Sequence, residues 1–143
     1  MKPEVGTVLA LTAQKIASGF GEHGAAFAQG TIGLLATVLA VSAKEYERGA
    51  DIRVSENNEM RALFEVLAET VTDPALRQEL RDAGATRDAS LRISALNENN
   101  YALRRLLTRL QIYAEEHGVN DVQRRIWAVL KAMAQRRLVQ LGP

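Results

Sequence analysis

The sequence predicts an all-α fold: a helical bundle of four principal helices plus one or two short helices, forming a single helical domain over residues 1–143. Three observations predict it. Apolar residues recur three and four apart through most of the chain, the breaks between these runs carry capping residues, proline or glycine, and only one short stretch alternates as a strand does.

Pro3 and Glu4 suit a first helical turn, because proline needs no amide partner there and a carboxylate complements the dipole. A helix from about Glu4 to Ser18 follows. Gly19, Gly21 and Gly24 interrupt it, each lowering helix propensity by about 1 kcal/mol relative to alanine; a turn and a kink fit equally well. From Ala25 to about Arg48 the pattern is apolar on every face, with Ile32, Leu34, Leu35, Val38, Leu39 and Val41, which predicts a central helix enclosed by others. Gly49 to Val54 alternates Ile52 and Val54 with charges. It reads as a linker, since a lone strand has nothing to pair with.

Ser55 suits the cap of the next helix, where Met60, Leu63, Phe64, Leu67 and Val71 recur at helical spacing. Asp73 and Pro74 open a short helix with Leu76 and Leu80 on one side and Gly84 at its end. A long helix is predicted from about Asp88 to His117, its stripe running through Leu96, Leu103, Leu106, Leu107, Leu110 and Tyr113. Gly118 stands where a left-handed terminating residue belongs. Asn120 is the expected cap of the last helix, which buries Val122, Ile126, Val129, Leu130 and Met133. The phrases Glu56-Asn57-Asn58 and Glu98-Asn99-Asn100 each precede an apolar run, but three residues are too few to establish a duplication.

A chain of 143 residues is long enough to bury roughly two-thirds of its unfolded surface in one core. The absence of cysteine excludes disulfides, thiolate chemistry and cysteine zinc sites. Nothing at the amino terminus has the pattern of a secretory signal, so the chain reads as unprocessed, soluble and cytoplasmic, and its arginine and alanine content suggests a bacterial genome of high GC content. Eighteen basic against 17 acidic residues give no global reason to expect nucleic acid or an anionic membrane. The distribution is less even: residues 51–100 carry ten acids and six bases, residues 101–143 eight bases and three acids. That asymmetry suits head-to-tail contacts or an acidic partner.

Several motifs invite a chemical reading and fail it. Gly19, Gly21 and Gly24 have the spacing of a dinucleotide fingerprint, but no buried strand precedes them. Residues 24–43 hold 20 positions without a formal charge, enough to cross a bilayer, yet Gln29, Thr31, Thr37 and Ser42 are polar and the other helices need an apolar partner to cover. A core helix is favoured, with membrane association as the further alternative. Neither His23 nor His117 follows a glutamate by three residues as a di-iron bundle requires, and no nucleophile stands beside a base; no cofactor, metal or catalytic residue is expected. Glu65 follows Arg61 by four, the spacing of an ordinary surface ion pair.

Two residue groups remain. Arg124, Arg125, Arg136 and Arg137 make the last helix basic and offer a surface to an anionic partner, although no docking module or row of aromatics points to nucleic acid. Asn97, Asn100 and Arg104 share a helix face beside Leu96 and Leu103. They read as a ligand-binding set, as buried amides that fix register, or, most simply, as an exposed polar face. By subtraction the leading expectation is a helical protein-interaction module, self-associating as a homo-oligomer, with no catalytic signature. The alternative is a small-molecule-binding or catalytic bundle with a pocket between helices.

Overall fold

The computed structural model describes residues 5–19 and 26–138, with the backbone alone at 19 and 26–29. Its regular structure is helical: α1 Val5–Gly19, α2 Ala26–Leu67, a 3-10 turn Ala68–Thr70, α3 Pro74–Ala85, α4 Ile93–Glu116 and α5 Asn120–Arg136. There is no strand among the described residues. The start at Pro3 and Glu4 and the question of a turn or kink at Gly21 and Gly24 lie outside the described residues. No helix among those described is long and apolar enough to cross a membrane.

The largest departure from the sequence reading is α2. Its 42 residues run through Gly49–Val54 and Ser55, so the expected linker and cap are both helix interior. Ile52, Glu56 and Met60 explain this, since residues four apart share one face and all three are buried. Packing along that face outweighs the cost of one internal glycine, about 1 kcal/mol. The expectation that residues 25–48 are enclosed is also overturned: Leu34, Leu35 and Val38 are exposed.

Elsewhere local chemistry decides the boundaries. Asp73 caps α3 by accepting from the Ala75 amide at 2.9 Å, with Pro74 in the first turn. α3 does not stop at Gly84 but continues to Ala85. Gly84 is instead a contact point, where an added Cβ would stand 2.7 Å from Glu65 Cγ and 3.3 Å from the Arg61 carbonyl oxygen. α4 starts at Ile93 rather than Asp88, because Asp88 turns back to bond α2 from the connecting segment. Gly118 ends the following turn at φ 66°, the left-handed conformation expected of it. Asn120 is the first residue of α5 rather than its cap; Val119 holds the cap position without a side-chain bond.

The described residues divide into two compact units, the first ending at Gly49 and the second Ala50–Leu138. In the second unit, hydrogen bonds fix the direction of each helix. Arg53 meets Asn97, Asn57 meets Asn100 and Thr72 meets Tyr113, so the partners advance together and α4 runs parallel to this part of α2. α3 runs the other way, with Arg81 on Glu69 and Arg61 on Thr86. So does α5, whose Gln123 reaches the Ala114 carbonyl and whose Arg137 reaches Glu56. The result is an up-down-up-down four-helix bundle. Its core joins Met60, Phe64 and Leu67 of α2 to Leu80 of α3, Leu107 and Leu110 of α4, and Ile126 and Met133 of α5.

The first unit pairs α1 with the beginning of α2 as an antiparallel hairpin. Gly6 lies against the Glu47 side chain, whose carboxylate would have to shift to admit a Cβ. The buried positions described here are all small: Gly6 and Ala13 on α1, Ala36 and Ala43 on α2. Each pair is seven residues apart, the heptad spacing of a coiled-coil seam.

Candidate functional site

The polar face of the second unit is not exposed. Glu56, Asn57, Arg61 and Asn100 are buried among apolar residues, with Glu56 and Asn57 fully covered. They belong to two linked clusters. In the first, the Glu56 carboxylate accepts from Arg137 Nε and Nη2 at 2.5 and 2.6 Å and from Asn100 Nδ2 at 3.1 Å, with Arg53 and Arg104 at 3.7 and 3.9 Å. In the second, Asp88 accepts from Arg61 at 2.7 and 3.1 Å, from Asn99 at 2.9 Å and from Asn57 at 3.2 Å. Asn57 joins the two, because its carbonyl oxygen accepts from Asn100 at 2.9 Å.

Burial alone would raise the Glu56 pKa. The Arg137 hydrogen bond and the charges of Arg137, Arg53 and Arg104 win, holding it below its ordinary value. At Asp88 the Arg61 hydrogen bond is the main cause, opposed by burial and helped by Asn99 and Asn57, and the pKa is again depressed. Burial and the neighbouring Arg137 and Arg53 charges lower that of Arg104. No buried side-chain nitrogen or oxygen among the described residues lacks a partner, as a network that specifies a core requires.

The predicted set Asn97, Asn100 and Arg104 therefore falls in one place. Asn97 accepts from Arg53 Nε at 2.6 Å, and Asn100 accepts from Arg104 Nε at 3.0 Å while donating to Glu56 and Asn57. Simple exposure is overturned for Asn100, and all three side chains are engaged by protein partners. The expected Arg61–Glu65 surface pair is likewise replaced by the buried Arg61–Asp88 pair, in which both side chains are less than a tenth exposed. Sequence spacing favoured Glu65 because it sees only one helix.

The four arginines of α5 and its carboxy-terminal cap separate into two kinds. Arg124 and Arg125 stand in water and share Asp121. Arg136 binds Glu59 and Arg137 binds Glu56, tying the end of α5 to α2. Only the first two present an open cationic surface.

Sequence reasoning missed Glu56, Asn57, Arg61 and Asp88, although a signal was there. The repeated Glu-Asn-Asn phrases suggest an offset of 42, but the facing asparagines are 43 apart. At that offset Asn57, Met60, Arg61, Leu63, Phe64 and Leu67 match Asn100, Leu103, Arg104, Leu106, Leu107 and Leu110. Ten of these twelve side chains are apolar or amide groups buried in the bundle, with Arg61 buried and Arg104 half-buried beside them. The same spacing thus supplies each of two parallel helices with one bonded amide, one guanidinium and one aliphatic stripe.

A trough of about 630 Å³ opens between α3 and α4. Ala83 and Ala102 form its walls, Leu103 and Leu106 line it, and Arg87 and Arg105 border it. No group of three or more histidine, aspartate, glutamate or cysteine side chains that could hold a metal exists among the described residues. The chain matches no protein-family model, no curated protein and no solved structure. Its functional reading therefore rests on its own geometry.

Proposed function

We propose that the protein is a helical interaction module that self-associates through the hairpin of α1 and the start of α2. One observation carries the reading: the fully buried described positions of this unit are glycine and alanine, Leu9, Ile16, Ile32, Leu39 and Val41 are only half-buried, and six large aliphatic residues stand outside. Val5, Val8 and Leu11 are exposed on α1, and Leu34, Leu35 and Val38 on α2, Leu34 at 64%. Removing such a side chain from water contributes about 1.5–3 kcal/mol, and a two-helix hairpin has no third helix to cover it. Two such hairpins supply four helices, and a twofold pairing closes without leaving a repeatable sticky face.

Charge favours an identical copy over a foreign partner. Residues 30–43 carry no formal charge, so a second copy brings no like charges together, while an acidic or basic partner finds nothing to pair with. Size-exclusion chromatography with light scattering, in detergent-free buffer, tests the idea. The wild type is expected as an integer oligomer, and Leu34→Ser with Leu35→Ser is expected to shift it to monomer with its helical signal retained. A wild-type monomer throughout the micromolar range, or an oligomer indifferent to both serines, would sink the proposal.

A further inference from the structure

We propose that the trough between α3 and α4 is a binding site for a small amphipathic anion, an oxyanion head on an apolar body. Three features of the trough support this. Its volume of about 630 Å³ falls within the range of small-molecule sites, roughly 300–1,000 Å³. It exists because α3 leans on α2 through Gly84, where there is no room for a Cβ, while on the other side the facing residues Ala83 and Ala102 are too short to close the space to α4.

Its charge is unbalanced in one direction. The lining holds Arg61, Arg87, Arg105 and Arg109 against Glu79 and Asp82. Arg61 is answered by Asp88 and Arg109 by Glu79, and Asp82 accepts from Gln78 at 2.8 Å. Arg87 gives one nitrogen to the Gly84 and Thr86 carbonyls and meets no carboxylate among the described residues. Arg105 has no hydrogen-bond or ion-pair partner among the described residues. Both guanidiniums are exposed and border a space lined with alanine and leucine. A planar fork of donors beside an apolar wall matches a carboxylate or phosphate ester carried on a hydrocarbon or aromatic body.

The Arg109–Glu79 bridge and the Arg61–Asp88 pair involve the residues at the two ends of the trough, because α3 and α4 are antiparallel and Glu79 and Thr86 lie seven residues apart. A ligand therefore lies along the groove rather than across it, with its head within reach of Arg105 and Arg87. This site belongs wholly to the second unit and does not depend on the self-association proposed above.

Titration calorimetry with 1-naphthyl phosphate, inorganic phosphate and 1-naphthol tests head and body separately. The joined compound is expected to bind at least about tenfold more tightly than either half. Arg105→Gln with Arg87→Gln should weaken it by about tenfold or more while leaving 1-naphthol unaffected. Ala102→Phe, at an exposed position, should fill the trough and abolish binding of both aromatic compounds. The Leu34→Ser, Leu35→Ser variant should bind as the wild type does, separating this site from the hairpin. Naphthyl phosphate that fails to bind in the millimolar range, binds no better than phosphate, or is indifferent to the arginine variant would overturn the proposal. The arginine variant alters exposed side chains only, so it decides the matter even if Ala102→Phe does not fold.

Discussion

The two units use large and small side chains in opposite ways. Ala50–Leu138 encloses Met60, Phe64, Leu80, Leu110 and Ile126 completely, and sets into the same interior a carboxylate, two amides and a guanidinium whose bonds are all made. The described part of Met1–Gly49 puts glycine and alanine inside and Leu34, Leu35, Leu11 and Val38 outside. Four helices provide two layers that shield one another, whereas two helices provide a single seam. The bundle encloses large side chains in its core although it also exposes Leu91, Tyr101 and Trp127, whereas the described part of the hairpin encloses only small ones and leaves Leu11, Leu34 and Leu35 in water.

The strongest way to break this contrast is to disturb the polar interior of the bundle. Asp88→Asn leaves the buried Arg61 guanidinium without a counter-charge, and unfolding in urea is expected to show a loss of about 3–5 kcal/mol. Truncating the exposed Leu34 to alanine should instead alter assembly and leave amide-exchange protection of α4 unchanged. If both substitutions reduce α4 protection alike, the units are not energetically distinct.

Acid probes the same difference more gently. Glu56 and Asp88 both have depressed pKa values in the folded chain. As pH falls below about 4, the unfolded chain takes up protons that the folded one refuses. Their contribution is therefore complete at neutral pH and is lost on the acid side, not the alkaline side. Urea midpoints measured from pH 7 down to pH 3 should stay level and then fall, and Asp88→Asn should flatten the fall. A steep loss between pH 7 and pH 5 would point to groups other than these two.

The smallest expected effect sharpens the account of α3. Gly84→Ala gains helix propensity but places a methyl group against Glu65 and the Arg61 carbonyl. A net loss of about 1 kcal/mol is expected, visible as a lower urea midpoint. An equally stable variant would mean that α3 can move off α2, and the shape of the trough would no longer follow from that contact.

Much of this molecule was legible in its sequence, because helix periodicity and caps are local properties. The stripes of α3, α4 and α5, the Asp73 cap and the left-handed Gly118 each depend on residues within a turn or two of one another. So does the all-α class. Tertiary structure decided what locality cannot. Gly49–Val54 stayed helical because Ile52 and Glu56 found a bundle to face. Arg61 chose Asp88, 27 positions away, over its neighbour Glu65. Asn100 is buried because Asn57 and Glu56 meet it from another helix. A polar residue on a stripe carries the same sequence signal whether water or a buried partner satisfies it, and only the packing of one helix on another settles which.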